Sequence, residues 1–218
     1  MNQPLPPTTG PVGVLRVMPR LISGLTLCAA GVAMLVRAEL GLGPWDVLHQ
    51  GLAVASGMSI GLATILVGFF VLLLWFPLHQ RPGIGTLVNV IWIGTSLDVM
   101  LSLTTTPSSV VLRSSLLVMG PVVFGVGVAV YMGAGVGTGP RDGVMTGLEQ
   151  LGIPIAVART GLELTALGIG WLLGGTVGIG TIYFALSVGP VMHVAIPLLR
   201  APWFPPGTHP RVIGGTPG

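Results

Sequence analysis

The sequence predicts an all-α membrane protein with about six transmembrane helices in two inverted repeats of three. Each repeat is expected to carry a short amphipathic or re-entrant helix after its first span. Composition, apolar segments of spanning length and an internal repeat support this prediction. The 218-residue chain is 51% hydrophobic and 7% charged, with a mean hydropathy of +0.91. A soluble domain carries roughly 25% charged residues, so this chain lacks the surface of a soluble protein.

Six apolar segments are long enough to cross a bilayer, which takes about 20 mostly apolar residues. They cover residues 20–38, 60–77, 84–103, 114–134, 156–174 and 179–199. Two shorter segments, 44–56 and 140–151, follow the first and the fourth. At about a dozen residues they are too short to span, so they lie at the interface or dip in as half-helices. An eight-span arrangement, in which both also cross, remains an alternative.

The two ends of the chain are rich in proline. Residues 1–19 are predicted to be a disordered leader, and residues 201–218 a disordered Pro/Gly-rich tail. The membrane domain between them divides into repeat 1, residues 20–110, and repeat 2, residues 111–200.

Arginine supplies every basic residue and sets the expected orientation. With six spans and both termini in the cytoplasm, seven arginines lie inside and two outside, which fits the excess of positive charge on the cytoplasmic side. Eight spans would give six against three. The seven are Arg16, Arg20, Arg81, Arg141, Arg159, Arg200 and Arg211, and the two are Arg37 and Arg113.

An internal repeat appears when the sequence is shifted by 96 residues. Twelve of the 36 positions from 31 to 66 are then identical, and GIGT at 83–86 recurs at 178–181 with a shift of 95. With three crossings per repeat, the second copy enters the membrane from the opposite side. Several secondary transporters are built from such inverted repeats, with the binding site at the repeat interface.

The repeat preserves a glycine-proline-aspartate corner. The first corner is GLGPWD at 41–46, and the second is GTGPRD at 137–142. Glycine permits a tight turn, proline suits the first helical position, and aspartate in the first turn can cap the helix. One interpretation is a capped helix start. The other is a half-helix starting inside the membrane, where its N–H groups bind an anion or its aspartate binds a cation or proton.

Two residues of the corners have simpler expected roles at the membrane surface. Trp45 is expected to be an interfacial anchor. Arg141, its counterpart in the second corner, is expected to face the cytoplasmic lipid headgroups.

The corners and neighbouring polar positions give the candidate substrate or ion pathway. For the threonines of the GIGT motifs, capping or close helix packing is the simpler role and ligand contact the alternative. The candidate pathway residues are Gly43, Pro44, Asp46, Gly139, Pro140, Asp142, Asn89, Thr86 and Thr181.

Ionisable residues within spans are expensive and suggest function. The candidates for coupling to protons or ions are Asp98, Glu163, His193 and Arg159. The structural alternative places Asp98 and His193 at the interfaces. It also pairs Glu163 with Arg159, which lies four residues earlier on the same helix face.

Several classes of function are excluded or disfavoured. The single cysteine, Cys28, allows no intrachain disulfide and no metal site built on paired thiols. No hydrolase, zinc or nucleotide motif occurs, so no catalytic residue, metal or cofactor is predicted. The chain has no basic run, so nucleic-acid binding is rejected. The expected partners are the lipid bilayer and a small-molecule solute, with a homo-oligomer left open.

The run LGLGPWDVLHQGLA, then MSIG, then GIGTLVNVIWIGTSLD resembles the bacterial YczE/YyaS/YitT family of multi-pass membrane proteins, and its YczE branch in particular. The resemblance covers nearly all of residues 20–199 and implies a bacterial inner-membrane location. The soluble C-terminal domain typical of the YitT-like branch is not expected. The motif positions that carry over are Gly43, Pro44, Trp45, Asp46, Gly85, Thr86, Asn89 and Asp98.

The sequence therefore leaves functions of different classes open. The leading hypothesis is a secondary transporter or exporter of a small polar or amphipathic solute. The main alternative is a non-transporting accessory or scaffold protein of the membrane, and an intramembrane enzyme is the third.

Overall fold

A computed structural model of the chain describes residues 11–135, 137 and 139–199. All regular structure in these residues is helical. The first half of the molecule contains α1 to α4 and the second half contains α5 to α8. The helices are α1 (Pro11–Ala38), α2 (Pro44–Ser56), α3 (Ile60–Leu73), α4 (Ile84–Leu103), α5 (Val110–Met132), α6 (Pro140–Gln150), α7 (Ile155–Leu172) and α8 (Ile179–Leu199).

The predicted all-helical class is confirmed for the described residues. Five helices, α1, α4, α5, α7 and α8, are long and apolar enough to cross a membrane. A sixth span results if α2 and α3, between which the chain bends by 114°, are counted as one broken span. Helix α3 ends at Leu73, earlier than the predicted segment 60–77, and turns precede Pro77, which cannot donate a helical hydrogen bond.

Helix α1 begins at Pro11, inside the region predicted to be a disordered leader over residues 1–19. The prediction was wrong there because tertiary packing overrides the proline signal. Val17 is 3% exposed and belongs to an apolar cluster with Leu21 and Tyr131. The remaining leader residues 1–10 and the predicted tail, 201–218, lie outside the described residues.

Helices α1 and α5 form the centre of the fold and run antiparallel. Gly24 lies against Tyr131, and Gly31 lies against Phe124. A Cβ on Gly24 would approach the backbone nitrogen of Tyr131 to 2.4 Å. Small residues therefore bring the two backbones into direct contact, which is a common way to pack helices in a membrane.

Each central helix has a parallel neighbour from its own half. The Trp92 indole of α4 donates a hydrogen bond of 2.9 Å to Thr26 of α1. Helix α8 lies along α5 in a similar way, where the Tyr183 hydroxyl donates to the carbonyl of Val118 at 3.4 Å.

The two halves differ in their remaining long helices. Helix α3 packs closely on α4, where a Cβ on Gly61 would lie 2.1 Å from the carbonyl oxygen of Gly94. Helix α7 makes at most marginal contact with α8 and packs instead on α2. A Cβ on Gly170 of α7 would lie 2.4 Å from the backbone nitrogen of Leu48.

Candidate functional site

Each corner rests on the start of the last helix of the opposite half. A Cβ on Gly41 would lie 2.9 Å from the Thr181 hydroxyl, and one on Gly137 would lie 2.8 Å from the Thr86 hydroxyl. Both glycines have positive φ angles, 116° and 146°. In the first corner the backbone N–H of Gly180 also donates to the carbonyl of Leu40 at 2.7 Å. Only glycine combines these φ angles with such close contacts.

The corners bring the first turns of α2 and α6 together. Pro44 and Pro140 each take the first helical position, as their fixed φ angle favours. The guanidinium carbon of Arg141, in α6, lies 4.7 Å from the centre of the Trp45 ring, in α2. Corresponding positions of the two corners are therefore in contact with each other.

A cavity of about 250 Å³ lies beside this contact and is lined by residues of all eight helices. Its apolar wall includes Phe124, Phe184 and several valines and methionines. Its polar and ionisable lining residues are Cys28, Trp45, Asp46, His49, Thr64, Asn89, Tyr131, Arg141, Asp142, Arg159 and Glu163.

The aspartates of the two corners have different partners. Asp142 accepts a hydrogen bond of 3.2 Å from the backbone N–H of Gly139 and so caps α6. Asp46 is 6% exposed and makes no such bond to Gly43. Its carboxylate lies 3.4 Å from Nδ1 of His49, at ion-pair distance, but the geometry leaves that nitrogen without a hydrogen bond. Asp46 is thus a buried carboxylate that the fold does not use as a cap.

The other polar side chains of the cavity divide into paired and unpaired groups. Arg159 donates to Glu163 at 3.0 Å, which confirms the predicted local ion pair. Within the described part of the chain, neither the Arg141 guanidinium nor the Asn89 carboxamide has a hydrogen-bond partner, and Arg141 has no carboxylate within 4.0 Å. Asn89 as a whole residue is 7% exposed, and it lines the cavity.

No group of three or more His, Cys, Asp or Glu side chains suitable for a metal ion occurs among residues 11–135, 137 and 139–199. The polar lining of the cavity is instead made of opposite charges, one amide and hydroxyl groups. Such a set can bind the charged ends of an organic solute.

Comparison with known proteins places the chain in a family. Residues 15–197 match the family described as "Family of unknown function (DUF6198)". This chain belongs to that family. It is 36% identical to an "Uncharacterized protein" of Haemophilus influenzae, over 85% of this chain and 86% of the relative.

Two further relatives, both from Bacillus subtilis, indicate that the family is YczE-like. The "Uncharacterized membrane protein YczE" is 35% identical, over 80% of this chain and 83% of the relative. The "Uncharacterized protein YyaS" is 24% identical, over 81% and 90%. The predicted resemblance is therefore confirmed, and the chain is a membrane protein. No solved structure matches it.

In this YczE-like protein, most of the residues predicted from sequence line one cavity. Those that line it are Gly43, Pro44, Asp46, Asn89, Gly139, Pro140, Asp142, Arg159 and Glu163. Thr86 and Thr181 lie just behind the corners and are buried against Gly137 and Gly41.

Two predicted coupling residues lie away from the cavity. Asp98 accepts hydrogen bonds from the Ser59 hydroxyl at 2.5 Å and from the backbone N–H of Gly61 at 2.7 Å. It thereby holds the start of α3, as a capping carboxylate does. His193 is exposed on α8.

Two expectations about the membrane surface are corrected. Trp45 is not an exposed interfacial anchor, because it is 9% exposed and packs in a cluster with Trp75 and Val144. Arg141 does not face outward to headgroups, because it is half-buried and lies over the Trp45 ring. The corner makes Trp45 and Arg141 meet, a contact that neither sequence segment reveals alone.

Sequence reasoning missed several lining residues of the YczE-like cavity. Phe184 could have been found from the repeat, because it follows Asn89 by 95 residues, the spacing of the two GIGT motifs. Tyr131 and Cys28 gave no comparable signal. They reach the cavity because of the crossing of α1 and α5.

Proposed function

We propose that this protein is a secondary transporter or exporter of a small solute in the bacterial inner membrane. The observation that carries the proposal is the charged cavity where the two corners meet. Buried ionisable groups in a membrane protein are expensive and are typical of solute or ion pathways. Binding sites next to the starts of half-helices are also typical of secondary transporters.

The proposal includes two inverted repeats of three spans, with α2 and α6 as re-entrant half-helices. Three features support it: α1 and α5 run antiparallel, each corner rests on the other half, and corresponding corner residues touch. Both termini would then be cytoplasmic, as the arginine distribution favours.

The difference between the halves supports alternating access. Helix α3 is closed against α4, whereas α7 stands away from α8. In the opposite state of the cycle, α7 would close on α8 and α3 would leave α4. Inverted repeats allow such an exchange because each half can take the arrangement of the other.

Glu163 and Arg159 remain the proposed coupling pair, because both reach the cavity. Asp46, with the His49 imidazole 3.4 Å from its carboxylate, lines the pathway.

Cavity access tests the transport proposal without knowledge of the solute. In a Cys28→Ser background, Asn89→Cys places a thiol in the cavity, and Val99→Cys on the outer face of the same helix is the control. Small charged thiol reagents should modify position 89 from both sides of oriented vesicles and should leave position 99 unmodified. Modification from one side only would reject alternating access and favour the accessory role.

Charge removal separates transport from the accessory role. Asp46→Asn should abolish the two-sided access or solute flux while the protein remains folded. Asp142→Asn should affect folding and flux together, because Asp142 caps α6. An accessory protein would tolerate Asp46→Asn completely.

Loop labelling tests the inverted topology. Single cysteines at residues 57–59 should react from outside in intact cells, and those at 152–154 only from inside. Equal sidedness of the two loops would mean parallel repeats with eight spans, and the inverted-repeat argument for transport would be withdrawn.

A further inference from the structure

We propose that the cavity binds a small zwitterion, an α-amino acid with an apolar side chain or a close analogue. This inference uses the site of the proposed transport function and names the chemical class of its solute. It rests on the charges that are left after the internal partners of the cavity are assigned.

Two acidic residues of the cavity are already occupied by the fold. Asp142 accepts the N–H of Gly139, and Glu163 accepts from Arg159. The two charged lining residues that have no hydrogen bond within the described part of the chain are Asp46 and Arg141, which carry opposite charges. Their nitrogen and oxygen atoms are not within the 4.0 Å of an ion pair, so they have not neutralised each other directly.

Arg141 can bind the carboxylate of the ligand. Its guanidinium lies over the Trp45 ring, which leaves the N–H groups at its edge available for a carboxylate. An arginine in an ion pair would have its N–H groups occupied by a carboxylate, whereas an arginine that stacks on an aromatic face keeps them available for a ligand.

Asp46 can bind the ammonium group. Its carboxylate is nine-tenths buried, lines the cavity, and has only the imidazole of His49 at 3.4 Å. The Asn89 amide, also nine-tenths buried, lines the same cavity and has no partner in the part of the chain that is described. A buried carboxylate and a buried amide without partners are costly unless a ligand supplies donors.

The rest of the cavity fits an apolar side chain. Phe124 and Phe184 stand with their ring centres 5.5 Å apart along the wall. The volume of about 250 Å³ is below the roughly 300–1,000 Å³ of pockets for drug-sized ligands. A solute of the size of leucine or methionine is therefore favoured over a lipid or a peptide.

One carboxylate and one guanidinium without hydrogen-bond partners favour a zwitterion over a simple ion. A monocarboxylate would leave the Asp46 carboxylate without a strong donor, and a monoamine would leave the Arg141 guanidinium without an acceptor. Buried charged groups that lack hydrogen-bond partners are unfavourable.

The test measures calorimetric binding to the purified full-length protein in lipid nanodiscs. The probes are L-leucine, L-methionine and L-valine, with two analogues that each keep one end of leucine. Of these, 3-methylbutylamine lacks the carboxylate, and 4-methylpentanoate lacks the ammonium group. At least one amino acid should bind, and both leucine analogues should bind about 10-fold or more weakly than leucine, because each loses a charged hydrogen-bonding end.

Variants assign the two ends. Asp46→Asn and Arg141→Gln should each lower affinity for the amino acid about 10-fold or more. Arg81→Gln changes an exposed arginine outside the cavity and should leave affinity unchanged. If Arg141→Gln does not fold, Arg141→Lys keeps the charge and should bind more weakly than the original protein.

Three results would overturn the zwitterion: no binding of any of the three amino acids, equal binding of the amine, or equal binding of the carboxylate. None of them removes the transport proposal, because two-sided thiol access at position 89 does not depend on the solute. Failure of that access test with retained leucine binding would instead leave a zwitterion-binding membrane protein that does not transport.

Discussion

Helices α3 and α4 of the first half pack through Gly61 and Gly94, whereas their counterparts α7 and α8 in the second half stand apart. Gly189 follows Gly94 by the 95-residue shift of the GIGT motifs, yet a Cβ there would meet nothing within 4 Å. Leu164, on the corresponding face of α7, is 62% exposed. Segments that the 95–96-residue shift aligns therefore pack differently in the two halves.

The two corners show the same divergence at the level of single side chains. Asp142 caps its helix, whereas Asp46 does not and faces the cavity. The aspartate found in both corners therefore caps a helix in one half and lines the cavity without a cap in the other. The contrast would be missed if either corner were taken to represent both.

The largest effect is expected from a substitution that disrupts the packing of α3 against α4. Gly94→Leu places a side chain where the Gly61 carbonyl oxygen lies 2.4 Å from an added Cβ. We expect the free energy of unfolding to fall by at least ~3 kcal/mol, which is the upper range for overpacking. The measurement is the melting temperature in detergent, which should be lower for the variant. Gly189→Leu is the matched control and should change it by only ~0.5 kcal/mol. Equal losses in the two variants would show that the halves pack alike.

Trp75 and Trp171, 96 residues apart, test the same asymmetry at the C-terminal ends of α3 and α7, where Trp75 lies just beyond the last residue of α3. Trp75 is 2% exposed and donates a hydrogen bond of 2.7 Å to the carbonyl of Pro140, whereas Trp171 is 65% exposed. Trp75→Phe removes this hydrogen bond and leaves a gap in a buried cluster, so it should cost about 1–3 kcal/mol. Trp171→Phe should cost ~0.5 kcal/mol or less. Comparable melting temperatures for both variants would contradict the contrast.

The two aspartates should separate stability from binding. Asp142→Ala removes the cap of α6 and should cost about 0.5–2 kcal/mol. Asp46→Ala removes no cap and should cost less, while it eliminates amino-acid binding by the same calorimetric assay. Urea unfolding in mixed micelles gives both stabilities. A larger loss of stability for Asp46→Ala than for Asp142→Ala would contradict this assignment, because the structural role would then belong to Asp46.

The smallest expected effect concerns the ion pair of α7. Ala63 and Val67 occupy the positions of Arg159 and Glu163 in the first half, so the pair is specific to the second half. A double-mutant cycle with Arg159→Gln and Glu163→Gln should give a coupling of about 0.3–0.5 kcal/mol, as for other exposed pairs four residues apart on a helix. A coupling of several kcal/mol would mean that the pair holds α7 in place.

The sequence was sufficient to predict the membrane class, the helical segments and the corners, because apolar length, glycine and proline are local signals. It also placed Asp46, Asp142 and Asn89 among the candidate site residues, because polar residues beside a corner or inside an apolar segment are visible in the sequence. It could not predict that Trp45 turns inward to Arg141, since that contact depends on how the halves meet. Nor could it predict the separation of α7 from α8, because an apolar helix face reads the same whether it meets lipid or another helix.

The crossed contacts of the corners have a consequence for synthesis. Gly137 meets Thr86, which already exists when the second corner is made. Gly41 cannot make its contact with Thr181 until that residue, which lies 140 residues later in the chain, has been synthesised. At about 5–20 residues per second, the first corner stays unpacked for roughly 7–28 s after it is translated. During that interval its polar backbone and Asp46 need another environment, so the order of translation leaves the first half as a membrane-inserted intermediate that the second half completes.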